Sequence, residues 1–428
     1  MPARLIDSLA TTEPLAEIFS DESFLEAMLD FEVALARAEA RAGIVPKAAA
    51  QAISRGAEPK RFNAHFIARE TLRAGTPGIP IAKALAVHVG RASAGAARFV
   101  HWGATSQDVA DTALILLLKR AQPILTADWV RLERALTRIS DQHENTVMVG
   151  RTLLQAAAPI TFGLKAASWL GALRRSQARM ETAFAEALVL QFGGATGTLA
   201  ALGDRGIRVG RQMARDLGLA YPDAPWHSCR DRLGALVAAC GVLTASLGKM
   251  ARDISLLMQN ELAEVAEPEG DGRGGSSTMP QKQNPVASAL TLAAANRVPG
   301  LVAAFLFGMV QEHERGVGGW QAEWPTVGGV VQSTGLALRS MAEAAEGLRV
   351  RAQRMRQAID ATRGTIFAEK ASLLLAQKLG RERGQSIVAE AARQARRKQL
   401  RLREVLAEMP EVTKVLDEQT LRDLETPE

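Results

Sequence analysis

The sequence is short of cysteine, with only Cys229 and Cys240. Two thiols with no Cys/His cluster beside them make neither a disulfide framework nor a zinc site. They read as buried thiols in a reducing cytosol. Aromatic residues are 4% of the chain and tyrosine occurs once. With Ala and Leu abundant, that composition favours helix over sheet. No basic block is interleaved with aromatics, which argues against nucleic acid as a partner. The net charge of +6 is modest for 428 residues, and its functional reading is a tilt toward small anionic molecules. The first residues, Met-Pro-Ala-Arg-Leu-Ile-Asp, carry no signal-peptide h-region. The longest charge-free stretch in the helical core, Leu233 to Gly248, is short for a membrane span, and Arg232 and Lys249 bracket it. It reads as a buried helix, so the expectation is a cytoplasmic protein with no membrane partner.

What is present is helical periodicity. Leu25, Met28, Phe31, Leu35, Ala38 and Ala42 recur at steps of three and four, one face of a helix within 15–42. Gly43 and Pro46 end it. Shorter segments follow, interrupted by Ala74-Gly-Thr-Pro-Gly-Ile-Pro80. From Asp108 the pattern lengthens, and helices are expected near 108–141, 153–190, 230–266, 285–314 and 326–356. Several are apolar on more than one face and need neighbours on all sides. Beyond Gln357 the segments shorten again, and the basic run Arg393 to Arg403 reads as an exposed helix face. The fold class is all-α in three helical parts: 1–107, a central bundle over 108–356 with a loop at 267–285, and a short C-terminal part over 357–428.

One loop carries the chemistry. Gly270-Asp-Gly-Arg-Gly-Gly-Ser-Ser-Thr-Met-Pro-Gln-Lys-Gln-Asn-Pro285 sets two serines, a lysine and an asparagine among glycines. Glycine lets backbone N–H groups approach a ligand closely and reach positive φ. Lys282 brings a positive charge, and the Ser276 and Ser277 hydroxyls can trade protons. The loop suits an anionic substrate that gains or loses a proton beside a carboxylate. Two further clusters suit the same task. In His101-Trp-Gly-Ala-Thr-Ser-Gln-Asp108, Thr105 and Ser106 stand where a helix N-terminus offers free N–H groups. In Gly150-Arg-Thr-Leu-Leu-Gln155, Arg151 offers a planar fork for a carboxylate, and Thr152 and Gln155 add hydrogen bonds.

These three clusters, in this order, resemble the signatures of the fumarase/aspartase superfamily, above all Ser276-Ser-Thr-Met-Pro-Gln-Lys-Gln-Asn-Pro285. The resemblance implies a five-helix central bundle that assembles into a homotetramer, with active sites shared between subunits. It implies Ser276 and Lys282 as catalytic residues. It also implies His101, Thr105, Ser106, Arg151, Thr152, Gln155, Ser277, Met279 and Asn284 around the substrate, with no metal and no organic cofactor. His227, Arg232, His313 and Arg315 join as contacts to substrate anions, beside Arg230. Each of the two histidines also reads as a hydrogen-bonded structural residue. Relatives run a little past Glu428, so the C-terminal part is expected to be cut short.

Within the second cluster the chain departs from the lyases, which carry histidine where this sequence has Leu153. An amine or hydroxide leaving group needs a proton, and histidine suits its delivery. A carboxylate has a pKa of about 4 and needs none at neutral pH. The departure fits a reaction in which a carboxylate leaves or, in reverse, attacks. Stretches across the chain, among them Leu190-Gln-Phe-Gly-Gly-Ala195, Pro225-Trp-His227 and Gln311-Glu-His-Glu-Arg315, resemble the bacterial carboxymuconate cycloisomerases of that superfamily. The implied substrate is a small tricarboxylate that closes to a lactone. A sulfonated muconate, a fumarate-releasing reaction and a catalytically silent structural oligomer stay open beside it.

Overall fold

A computed structural model describes residues 5–270, 272, 274–275, 278–279 and 281–426. Among them are eighteen α-helices and four short strands, so the all-α expectation holds. The five long helices are Ser106–Gln142, Phe162–Ala187, Asp231–Leu257, Val286–Gly308 and Gly319–Glu346. Pro123 and Pro299 lie inside the first and fourth. The chain divides into two compact units, one of residues 1–131, 173–249 and 289–341, the other of 132–172, 250–288 and 342–428.

In the first unit the long helices pack through small residues. A Cβ on Gly248 would lie 2.6 Å from Ala295 Cβ, and one on Gly335 would lie 2.2 Å from a Leu15 methyl. Thr244 and Thr334 share a buried hydrogen bond of 2.9 Å. Cys240 lies against Met180, and burial pushes its thiol up to about 12. Cys240 is therefore an inert core residue. Cys229 is exposed, which corrects the expectation of two buried thiols: it sits in the irregular segment before the Asp231–Leu257 helix. The expected helix over 15–42 forms as Glu13–Ile18 and Asp21–Arg41, the second capped by the Ser20 hydroxyl accepting from Ser23 N–H. It buries Leu25, Met28, Phe31, Leu35 and Ala38 in a core shared with Lys47–Gly56, Gly78–Ala92 and Gly206–Leu217.

The same apolar face carries Glu32 and Glu39. Glu39 is 0% exposed, and neither carboxyl oxygen has a hydrogen-bond partner among the described residues. Burial, reinforced by Glu32, pushes its pKa up to about 9. The folded state therefore keeps a proton that the unfolded chain releases near pH 4.5. Its contribution to stability is complete below that pH and is lost as pH rises toward 9. Glu39→Gln stays neutral throughout. It is expected to stabilise the protein by about 3 kcal/mol at pH 7, with little gain at pH 4.5. Urea denaturation at the two pH values checks this, and equal effects at both would refute it.

In the second unit the C-terminal helices enclose a core of Ile359, Phe367, Leu375, Ile387, Ala391, Leu402 and Leu406, joined by Val149. The helix expected over 153–190 begins only at Phe162. Before it, Val147–Thr152 and Gln155–Thr161 pair as an antiparallel hairpin. Tertiary packing overrides the helix propensity of Ala156, Ala157 and Ala158.

Two helices, Asp231–Leu257 and Val286–Gly308, are long and apolar enough to cross a membrane. The first is mostly buried within the protein, whereas only 22% of the second's apolar window is buried, and Phe307 near its C-terminal end is exposed.

Candidate active site

The first unit gathers its polar residues at the start of the Ser106–Gln142 helix. Thr105 occupies the N-cap, and its N–H donates to Asp108 Oδ2 at 3.0 Å, a carboxylate in the first turn reaching back to the cap. Asp108 Oδ2 also accepts from Gly194 N–H at 2.9 Å. Its Oδ1 accepts from Gly193 N–H at 3.0 Å and from His227 Nε2 at 2.7 Å. Position 193 requires glycine, since a Cβ there would lie 2.7 Å from His227 Cε1. His227 is buried and tied to Asp108, which is the structural reading of that residue. Arg315 donates to Thr105 Oγ1 at 2.9 Å and to the Ala195 carbonyl at 2.8 Å, so it fastens the segment after Gly308 to both loops. His313, at positive φ, is exposed on that segment. Arg232 is half-buried in the first turn of the Asp231–Leu257 helix.

His101 also adopts positive φ, with Nδ1 2.6 Å from Glu32 Oε1. Burial works against its charge. Glu32, in contact and hydrogen-bonded, and Asp108 outweigh burial and raise the imidazole pKa above its ordinary value. A partly exposed imidazole favoured as the cation suits a substrate carboxylate.

Arg230 corrects the expectation of a substrate contact. It is fully buried and grips Asp111 at 2.7 and 3.0 Å and Glu323 at 2.6 and 2.9 Å. Trp226 packs its ring 4.6 Å from the guanidinium carbon. Trp320 and Gln107 donate to Asp111, and Gln311 donates to Glu323. Burial opposes the charge of Arg230, yet the two carboxylates together hold its pKa above the ordinary value. Burial also pushes the Glu323 carboxyl upward against the pull of Arg230. With four of its five N–H groups donating to these two carboxylates and its side chain buried, Arg230 has no fork left for a ligand.

In the second unit Arg151, Thr152 and Gln155 lie on the hairpin, and Thr152 pairs with Gln155 across the turn. The open fork expected of Arg151 is occupied. Its two terminal nitrogens donate to Glu264 at 2.7 and 2.9 Å, because the Glu264 carboxylate is fully buried and needs a counter-charge. Leu153 and Leu154 form the turn, both at positive φ and 97% and 76% exposed. Two-residue hairpin turns of this kind favour Asn-Gly. Leucine there is strained by about 1 kcal/mol or more per residue. Leu153→Asn with Leu154→Gly is expected to stabilise the protein by about 1–2 kcal/mol in urea denaturation, and destabilisation would contradict it.

The glycine loop belongs to the same unit. Gly272 and Gly274 adopt positive φ. Lys282 is exposed, its N–H bonded to the Met279 carbonyl at 3.0 Å, and Met279 is exposed beside it. Asn284 N–H donates to the Gly274 carbonyl at 2.9 Å, and its side-chain amide lies 3.4 Å from the Gly275 carbonyl. Glu267 accepts from Ala287 N–H, Ser288 N–H and the Ser288 hydroxyl at 2.6–2.9 Å, which caps the following helix and anchors the loop. Ser276 and Ser277 lie outside the described residues.

Sequence reasoning missed Asp108, Glu32 and Glu264 as organising groups. Asp108 closes a quoted motif. Glu32 falls on the apolar steps of its helix, the one signal that marks it as buried. Nothing in the spacing marks Glu264 as the partner of Arg151.

The chain matches the family described as lyase over residues 9–300, and the adenylosuccinate lyase C-terminus over 364–428. It is 44% identical to a 3-carboxy-cis,cis-muconate cycloisomerase of Bradyrhizobium diazoefficiens, across 99% of this chain and 94% of that protein. It is 46% identical to the protein of that name from Pseudomonas aeruginosa, across 96% and 89%. The crystal structure of 3-carboxy-cis,cis-muconate lactonizing enzyme from Pseudomonas putida aligns with a TM-score of 0.93 at 44% identity, covering 99% of this chain and 95% of that one.

Proposed function

We propose, on the premise that the chain belongs to the lyase family of the fumarase/aspartase superfamily, that it is an intramolecular lyase closing 3-carboxy-cis,cis-muconate to 4-carboxymuconolactone. The reading is carried by similarity to cycloisomerases of that substrate along nearly the whole chain. Leu153 at the turn supports it, since a carboxylate nucleophile calls for no proton donor there.

In this reading one substrate carboxylate attacks the carboxyl-bearing alkene carbon. Charge develops on the carboxylate conjugated to that alkene. Lys282, Asn284 and loop N–H groups stabilise it, and Ser276 delivers the proton to the α-carbon. In reverse Ser276 removes that proton, as an alkoxide stabilised by Lys282 and the loop amides. His101, held by Glu32, and the Thr105–Ser106 helix start bind the remaining carboxylates, with Ser277, Met279, Thr152, Gln155, Arg232 and His313 completing the contacts. Arg151, Arg315 and His227 hold the surrounding backbone through Glu264, Thr105 and Asp108. No step is assigned to a metal ion or organic cofactor.

The active assembly is a homotetramer with shared sites, and the exposed apolar side of Val286–Gly308 supports that part of the reading. The three-part division at 107 and 356 belongs to it as well, supported at the C-terminal end by the separate family match over 364–428. The protein acts in the cytoplasm on a small anionic tricarboxylate, without membrane or nucleic acid.

The test is a spectrophotometric assay with 3-carboxy-cis,cis-muconate, following loss of diene absorbance and identifying the product by NMR. The 3-sulfo analogue and argininosuccinate run in parallel. Rapid conversion to 4-carboxymuconolactone is expected. Fumarate release, or preference for the sulfonate, would move the substrate assignment, and no turnover of any by the folded protein would refute it.

A further inference from the structure

The helices Asp21–Arg41 and Lys47–Gly56 leave a groove of about 430 Å³ in the first unit. Four cations line it, Arg37, Arg41, Lys47 and Arg55, and no carboxylate does. Ala40 and Ala50 keep it open, since neither side chain reaches far from the helix backbone. Further toward the start of the Asp21–Arg41 helix, the acids Glu26 and Asp30 meet a cation of the Ser106–Gln142 helix, Arg120, at 3.3 and 2.9 Å. Among the described residues only Arg41 of the groove has a counter-ion, Asp216 at 2.6 Å. Arg37 Nε donates to the neutral Ser54 hydroxyl at 3.3 Å. Lys47 and Arg55 make no ion pair among the described residues.

The placement is electrostatically unfavourable in the empty chain. Arg37 and Arg41 stand four apart on one helix, a like-charge pair. Lys47 opens its helix, where the backbone dipole favours an anion and disfavours a cation. Arg55, two turns further along, is in the last turn of the same helix, where its charge is welcome, but it faces the same groove. A ligand of negative charge would relieve each of these contacts. Guanidinium forks and an ammonium together match the oxygens of carboxylates or phosphates. The volume suits a small molecule.

We propose that this groove binds a small organic polyanion carrying two or three carboxylate or phosphate groups. It shares no residue with the candidate active site, and the inference does not depend on the reaction proposed there. Two charged probes identify the source of the anionic groups: citrate for a polycarboxylate and inorganic pyrophosphate for a phosphate ester.

The experiment is isothermal titration calorimetry of the full chain with each probe at an ionic strength fixed by sodium chloride. Wild type, Lys47→Gln/Arg55→Gln and Lys282→Met are compared. Saturable binding of one probe is expected, at least tenfold weaker in the groove variant and unchanged in Lys282→Met. Tighter citrate binding assigns a polycarboxylate, and tighter pyrophosphate binding a phosphate ester. The groove variant is expected to melt no lower than wild type without ligand, because repulsion has been removed, and to keep its turnover. Equal binding by the groove variant and wild type, or saturable binding of neither probe, would overturn the proposal.

Discussion

Arg230→Met is expected to destabilise the protein by about 3–5 kcal/mol, the range for removing one partner from a buried ion pair. Methionine has a similar length and fills the space beside Trp226. What it removes is the charge shared by Asp111 and Glu323, both buried. Two acids would then face each other in the core, with Trp320, Gln107, Gln191 and Gln311 as their remaining donors. Because Glu323 is already held above the ordinary carboxyl range, it should take up a proton in the variant. The loss should therefore be smaller at pH 5 than at pH 8. Urea denaturation at both pH values measures this. The triple variant Arg230→Met/Asp111→Asn/Glu323→Gln should recover much of the loss. A single variant as stable as wild type would show that the network does not hold the helices together.

The second large effect concerns chemistry. Ser276→Ala is expected to lower kcat about a thousandfold, the scale of a positioned proton donor, with the folded assembly unchanged. Lys282→Met should lower it by about 10²–10³, the scale of an electrostatic group aimed at developing charge. Steady-state kinetics on folded material, with size measured by light scattering, checks both. Ser276→Ala at the wild-type rate would remove that serine from the mechanism. Lys282→Met with raised KM and unchanged kcat would make the lysine a binding group only.

The long helices were legible because apolar steps of three and four, broken by glycine and proline, depend on local sequence. Their ends were less so: the last long helix was expected over 326–356 and runs Gly319–Glu346. The hairpin was missed for a physical reason. Its second strand contains three alanines, good helix formers, and its turn uses Leu153-Leu154 where a local reading looks for Asn-Gly. The pairing of Val147 with Thr161 holds these residues extended. The site was legible as motifs but not as partners. Thr105, Arg151 and Arg315 stand out by type and context. That Arg151 would be claimed by Glu264, or Thr105 Oγ1 by Arg315, depends on segments 113 and 210 residues away. Only the folded chain brings those groups within reach. Buried carboxylates such as Glu39 were hidden in an otherwise apolar periodicity.

The Asp108 carboxylate has a consequence for how this region opens. Three backbone N–H groups, of Thr105, Gly193 and Gly194, end on it, together with one imidazole. None of those amides has a second carboxylate to fall back on among the described hydrogen bonds, so separating any segment from Asp108 exposes its amides to solvent. Their deuterium uptake should therefore be correlated, with Gly193 and Gly194 exchanging at one rate despite lying outside any helix or strand. In a chain of this size, a loop pair of glycines that exchanges as slowly as a helix end behaves as one cooperative unit with the residues around it.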